Sequence, residues 1–292
     1  MPDEPASVLS PIRCHLGEGP TYDAAGDTLW WFDIAEKKLL EQRLSGGDTT
    51  VHDLPFMASA LAVVDGGRQL IAAENGLYIR ETASGALSLY RELEADNPAT
   101  RSNDGRVHPC GALWIGTMGK QAEKGAGAIY RLFRGEIRLL FPDITIPNSI
   151  CFSPDGKTAY FADTGKNLLW RTACDPATGM PAGEPQVLLD HRGKPGGIDG
   201  SVVDAEGTIW NARWGTGTLD AYSPDGNPIR SLSVPARQPS CPAFVGREAT
   251  RIAVTSAWEG MDEAARAADP HGGKTFLLDI SVKGRLEPRV LL

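Results

Sequence analysis

The chain has 292 residues, 41% of them apolar, and a formal net charge of −8, which allows one large β domain and, with no basic stripe, argues against nucleic acid as a partner. No apolar run reaches the roughly 20 residues of a membrane span. The opening Met1-Pro2-Asp3-Glu4-Pro5 has neither the basic end nor the apolar segment of a signal peptide, so a cytoplasmic protein is expected, without a membrane partner, as a monomer or weak homodimer.

Abundant Gly and Pro without a period of three point to many turns. Five cysteines, Cys14, Cys110, Cys151, Cys174 and Cys241, form an odd set with no CxxC pair. They read as reduced, mostly buried thiols, with a catalytic thiol as the minor alternative.

In chain order, a short strand around Ser7-Val8-Leu9 comes first. It is expected to lie beside C-terminal strands at 274–280 and 287–291. A pattern of apolar strand, tight turn and apolar strand then recurs. Tyr22-Asp23-Ala24-Ala25-Gly26 precedes Leu29-Trp30-Trp31-Phe32-Asp33, and Val64-Asp65-Gly66-Gly67 precedes Gln69-Leu70-Ile71-Ala72-Ala73. Val107-His108-Pro109-Cys110-Gly111 precedes Ala112-Leu113-Trp114-Ile115-Gly116. Phe152-Ser153-Pro154-Asp155-Gly156 precedes Thr158-Ala159-Tyr160-Phe161, and Val203-Asp204-Ala205-Glu206-Gly207 precedes Thr208-Ile209-Trp210-Asn211. A degraded copy is Phe244-Val245-Gly246-Arg247 before Arg251-Ile252-Ala253-Val254-Thr255. Pro presets φ and Gly tolerates the left-handed position that closes such hairpins.

The last apolar residues before the turns are Tyr22, Val64, Val107, Phe152, Val203 and Phe244, spaced by 42, 43, 45, 51 and 41 residues. A repeat of about 40 to 50 residues made of short strands is the signature of a β-propeller, one four-stranded blade per repeat. Six copies predict an all-β, six-bladed propeller over residues 1–292. Four residues before each anchor stand Glu18, Ala60, Asn103, Asn148, Asp199 and Ser240. Equivalent slots on six innermost strands form a ring around the channel, and convergent carboxylates and amides there predict a cation site.

Local context adds roles. Alone, Glu18 between Gly17 and Gly19 reads as an exposed turn residue; the ring gives it a function. His15 reads as a locally bonded loop histidine. Arg101 lies two residues from Asn103, on the same side of an extended segment, and so is placed over the channel mouth. Asp104, out of phase, is expected to orient its neighbours. Residues 119–127 read as a partial lid. The glycines around Asp199 again leave a carboxylate open, the Trp and Arg residues of Trp210-Asn211-Ala212-Arg213-Trp214-Gly215 are candidates for the cavity border or, for Trp, for packing between blades, and 259–268 reads as an insertion with a short surface helix.

Leu16-Gly17-Glu18-Gly19-Pro20, Arg101-Ser102-Asn103-Asp104-Gly105, Pro147-Asn148-Ser149 with Ser153-Pro154-Asp155-Gly156, and Ile198-Asp199-Gly200-Ser201 resemble the regucalcin (senescence marker protein)/gluconolactonase family, in order and spacing, over essentially the whole chain. The resemblance implies one divalent ion held by Glu18, Asn148 and Asp199. It also implies hydrolysis of a sugar lactone, with Asp199 as base and Arg101 and Asn103 binding substrate. That family presents a glutamate to substrate from the loop after the counterpart of Gly116-Thr117-Met118. Here Gln121 stands in its place, which leaves the sugar open.

Two carboxylates and an amide are hard ligands that suit Ca, Mg or Mn without excluding Fe(II) or Zn. The alternatives are a non-catalytic calcium-binding protein, a scaffold for protein partners, and an esterase or phosphotriesterase-like enzyme on the same ion.

Overall fold

The computed structural model describes residues 6–292; residues 1–5, read above for a leader, lie outside them. Six four-stranded antiparallel sheets form the blades. From the innermost strand outward, blade 1 is Gly17–Asp23, Thr28–Asp33, Lys38–Arg43 and Thr50–Asp53; blade 2 is Ala58–Val63, Arg68–Ala73, Gly76–Glu81 and Leu87–Glu92. Blade 3 is Thr100–Val107, Leu113–Gly119, Gly127–Phe133 and Glu136–Ile144; blade 4 is Pro147–Phe152, Thr158–Asp163, Leu168–Ala173 and Gln186–Asp190. Blade 5 is Gly197–Val203, Ile209–Trp214, Thr218–Tyr222 and Pro228–Ser233. Blade 6 takes Pro239–Val245, Arg251–Ser256 and Thr275–Leu278 from the end of the chain and its outermost strand, Ala6–Ser10, from the beginning. Innermost strands pack against one another around the ring, blade 6 against blade 1.

The recurring aspartate has a local cause. Asp23, Asp65, Asp155 and Asp204 each accept, at Oδ1, the backbone N–H two residues on, which sets the turn between the first two strands of the blade. The apolar alternation of the inner strands then fills six layers, one between each pair of neighbouring blades. Trp31 and Leu29 of blade 1 meet Val245 and Ala253 of blade 6, for example, and Phe152 of blade 4 meets Trp114 of blade 3. The outermost strand of every blade carries one exposed aliphatic residue: Val8, Val51, Leu89, Leu139, Val187 and Ile229. They are dispersed around the rim, one per blade. The helix Glu263–Ala268 is capped by Asp262, and among the described residues no helix is long and apolar enough to cross a membrane.

One expectation is corrected. Ala6–Ser10 does pair with Thr275–Leu278, but residues 287–291 form no strand beside it. Ala6–Ser10 already occupies that edge, and Pro288 lacks the N–H that a ladder needs. The tail instead runs across the end of the propeller as a strap. Arg285 donates to Val203 O and Phe152 O, Val290 N to Val63 O, and Leu291 N to Gly111 O, tying blades 5, 4, 2 and 3. Glu287 meets Arg106 of blade 3 at 2.8 Å.

Candidate functional site

The innermost strands share an irregularity at the predicted ring. In blades 1, 3, 4, 5 and 6 two residues face one on the neighbouring strand: Gly19 and Pro20, Asn103 and Asp104, Ser149 and Ile150, Asp199 and Gly200, Ser240 and Cys241. Blade 2 breaks register between Ala58 and Ala60. Such bulges re-aim side chains. Here they turn polar groups out of the sheets toward the axis, where a cavity of about 380 Å3 is lined by Glu18, Arg101, Asn103, Asn148 and Asp199. Gln121 lines it from the loop after blade 3's second strand, with Ala122 beside it.

The other two ring slots do not reach the cavity. Ala60 packs in the apolar layer between blades 2 and 3, and the Ser240 hydroxyl donates to Gly17 O. Ser59 and Ser149 do the same to Asn103 O and Asp199 O, so hydroxyls fasten neighbouring inner strands that share no backbone ladder. Ser149 adopts φ +54°, a strained left-handed conformation for a residue with a side chain, beside Asn148. Gly19, at φ +57°, has no alternative: a Cβ there would strike Ser59 O.

A hydrogen-bond relay orients the amides. Thr164 donates its only hydroxyl proton to Ile198 O at 2.6 Å, so it must accept from Asn148 Nδ2 at 2.9 Å. That fixes the amide, and Asn148 Oδ1 receives Asn103 Nδ2 at 2.9 Å. Asn103 Oδ1 in turn accepts Arg101 Nη1 at 2.8 Å. Among the described residues Arg101 Nε and Nη2 have no hydrogen-bond acceptor. As the sequence suggested, Asp104 faces its neighbours: its Oδ2 accepts Ile150 N at 2.7 Å.

The carboxylates are poorly compensated. Among the described residues Glu18 accepts only Gly19 N, and burial with the charge of Asp104 pushes it from 4.5 up to about 8. Burial first, then the charge of Glu18, holds Asp199 well above the usual carboxylate range. Neither has an ion-pair partner among the described residues. Two buried negative charges without a cation are unstable unless one is supplied. Among the described residues no three His, Cys, Asp or Glu side chains form a metal-holding group. Of the oxygens that line the cavity, those of Glu18, Asp199 and the Asn148 amide are hard donors of the kind that would suit a divalent cation. The cysteines play no part in it: none lines the cavity, and burial pushes Cys14 and Cys174 up to about 12. A larger cleft, about 730 Å3, opens between blades 4 and 5, but its carboxylates are already engaged, Asp190 by Arg192 and Asp220 by Tyr222 and Ser231.

Residues 16–258 match the family described as SMP-30/Gluconolactonase/LRE-like region. The chain belongs to this family. A Rhizobium meliloti (strain 1021) member, provisionally named a sugar lactone lactonase, is 57% identical over 96% of this chain and 95% of its own length. The L-arabinolactonase of Azospirillum brasilense is 35% identical over 93% of this chain and 91% of that protein. A crystal structure from Agrobacterium tumefaciens, described as a calcium-binding protein, regucalcin, superposes with a TM-score of 0.98 at 55% identity, covering 99% of this chain and 98% of that one.

In this SMP-30/gluconolactonase member the sequence reading missed several cavity residues. Lys120, Thr164 and Glu259 line the site, and Trp214 borders it while Arg213 turns away to Pro195 O and Asp220. His15 is no ligand; it stacks on Trp258 with ring centroids 4.1 Å apart. Thr164 directly follows the second strand of blade 4 and carries no motif of its own. Glu259 lies in the insertion taken for surface, and only the aromatic Trp258 before it could have signalled a built position.

Proposed function

We propose that this chain is a divalent-metal-dependent sugar lactonase that opens an aldonolactone to the aldonic acid. The observation that carries the reading is the pair of uncompensated carboxylates, Glu18 and Asp199, at a polar cavity in a family whose relatives are named lactonases. Glu18, Asn148 and Asp199 would hold the ion, which when bound polarises a carbonyl as a Lewis acid and lowers the pKa of water. Asp199 can take the proton of the attacking water on a carboxylate oxygen. Arg101 Nε and Nη2 offer donors to the lactone's oxygens, Asn103 is held in place by Arg101 and Asn148, and Gln121 brings an amide from the loop. Excess donors suit a polyhydroxylated substrate.

Proton release from a panel of aldonolactones, with stripped protein and with each divalent ion restored, tests the reading. We expect turnover that vanishes on chelation and returns with metal; a panel opened no faster than in buffer under any ion sinks it. The description of the Agrobacterium neighbour as calcium-binding favours a second reading, a non-catalytic calcium protein, which predicts binding without turnover. The dispersed aliphatic residues of the rim form no contiguous patch for a scaffold.

The carboxylates also set a pH dependence. In stripped protein Glu18 binds its proton more tightly folded than unfolded. Stability is therefore full below about 4.5 and falls as pH rises toward about 8. A bound cation cancels that loss, so thermal unfolding should show a larger stabilisation by added divalent ion near pH 8 than near pH 4.5. Equal shifts at both ends would remove Glu18 from the ion's ligands.

A further inference from the structure

We infer that Glu259 is a specificity-determining residue, selecting lactones whose far end is an uncharged polyol over those carrying a phosphate, sulfonate or carboxylate. The inference rests on the lactonase reading and concerns the mouth of the same cavity.

Glu259 is exposed and lines the cavity, yet its carboxylate accepts no hydrogen bond and joins no ion pair among the described residues. The turn that carries it is nevertheless firmly built. Trp258 lies between the His15 ring, 4.1 Å away and 7° from parallel, and the Arg266 guanidinium, 3.7 Å from its ring. Arg266 Nε donates to Met261 O, Met261 N to Trp258 O, Trp258 N to His15 O, and Gln238 Nε2 to Glu259 O. A three-layer stack and four hydrogen bonds thus present one unpaired carboxylate at a fixed place. It lines the same cavity as Glu18, Arg101 and Asp199, but from an exposed position, whereas Arg101 and Asp199 are buried.

The cations of the cavity do not offset it for an incoming anion. Lys120, on the lid, is held by Glu74 at 2.5 Å. Arg101 is buried beside Asn103, and its open donors are the ones assigned above to the lactone's own oxygens. A neutral substrate can donate a hydroxyl to Glu259; a charged tail at the mouth meets like charge, while the open donors of Arg101 are taken up by the lactone's own oxygens.

The test compares glucono-1,5-lactone with its 6-phosphate, in metal-loaded protein, for the native chain and Glu259→Gln. At effective dielectric values near a protein surface, removing one charge at such range changes the preference by about tenfold. The ratio of kcat/KM, phosphorylated over neutral, should rise about that much in the variant, and 0.5 M salt should raise it in the native chain, as screening predicts. Calorimetry with gluconolactam and its 6-phosphate reads the same preference without turnover, and Glu259→Lys should shift it further. If neither lactone is opened, the lactonase reading fails while the calorimetric ratio still reports on Glu259. A ratio unchanged by Glu259→Gln and by Glu259→Lys overturns the inference. The Glu259 carboxylate gives up no hydrogen bond or ion pair among the described residues on substitution, so thermal unfolding should match the native chain.

Discussion

Replacing Asp199 with Asn is expected to stop lactone opening while making the stripped protein harder to unfold. Loss of a general base alone costs roughly 10²–10⁴-fold in rate, and here a proposed ion ligand goes with it. The stability effect has the opposite sign. Asp199 is buried, has no cationic partner among the described residues and lies in the field of Glu18, so folding works against its charge. An amide has the same shape without that charge. Steady-state rates with metal and thermal unfolding without it, on one preparation, separate the two effects. An unimpaired variant would remove Asp199 from the mechanism; a variant destabilised without metal would mean that its carboxylate has a stabilising partner.

Glu287→Ala should be among the most damaging single changes far from the cavity. Arg106 is buried on blade 3; its Nη1 meets Glu287 at 2.8 Å, its Nη2 has only longer contacts with Ser201 O at 3.4 Å and Cys241 Sγ at 3.5 Å, and its Nε has no partner. Removing the glutamate leaves a buried guanidinium without its counter-charge, which costs about 3–5 kcal/mol. The pair itself is not expected to be worth that much: Arg106→Leu with Glu287→Leu should come close to the native stability. Denaturant midpoints for the single and double variants decide it. A single-variant loss under about 1 kcal/mol would mean that water reaches Arg106 and screens it.

The fold was readable because its strongest signals repeat. Each blade needs an apolar inner strand and a turn; Asp23, Asp65 and Asp204 close three of those turns from the same place, directly after the last apolar residue, and Asp155 closes a fourth from two residues further on. The site was readable where it shares that repeat: Glu18, Asn103, Asn148 and Asp199 each stand four residues before the last apolar residue of their strand, and although Asn103 and Asp199 open a bulge while Glu18 and Asn148 directly precede one, all four line one cavity. The slot does not dictate the outcome, however. Ser240 is small enough to turn its hydroxyl onto Gly17 O, and Ala60 has nothing polar to send inward. Glu259 was hidden because it belongs to an insertion outside the repeat, where a glutamate before glycine resembles any surface turn. The tail was misread because its composition suits a strand, and neither Pro288's missing donor nor an already occupied edge shows in composition.

Because blade 6 draws on both ends of the chain, the ribosome cannot release a finished fold early. Ala6–Ser10 is translated first but has nothing to pair with until Thr275–Leu278 emerges, and the strap of residues 285–291 follows later still. Until then the nascent arc of blades carries an uncovered greasy flank at each end, on blades 1 and 5. Such long-range closure is slow and prone to sticking, so synthesis in the cell should lean on chaperones until Thr275–Leu278 has emerged to meet Ala6–Ser10.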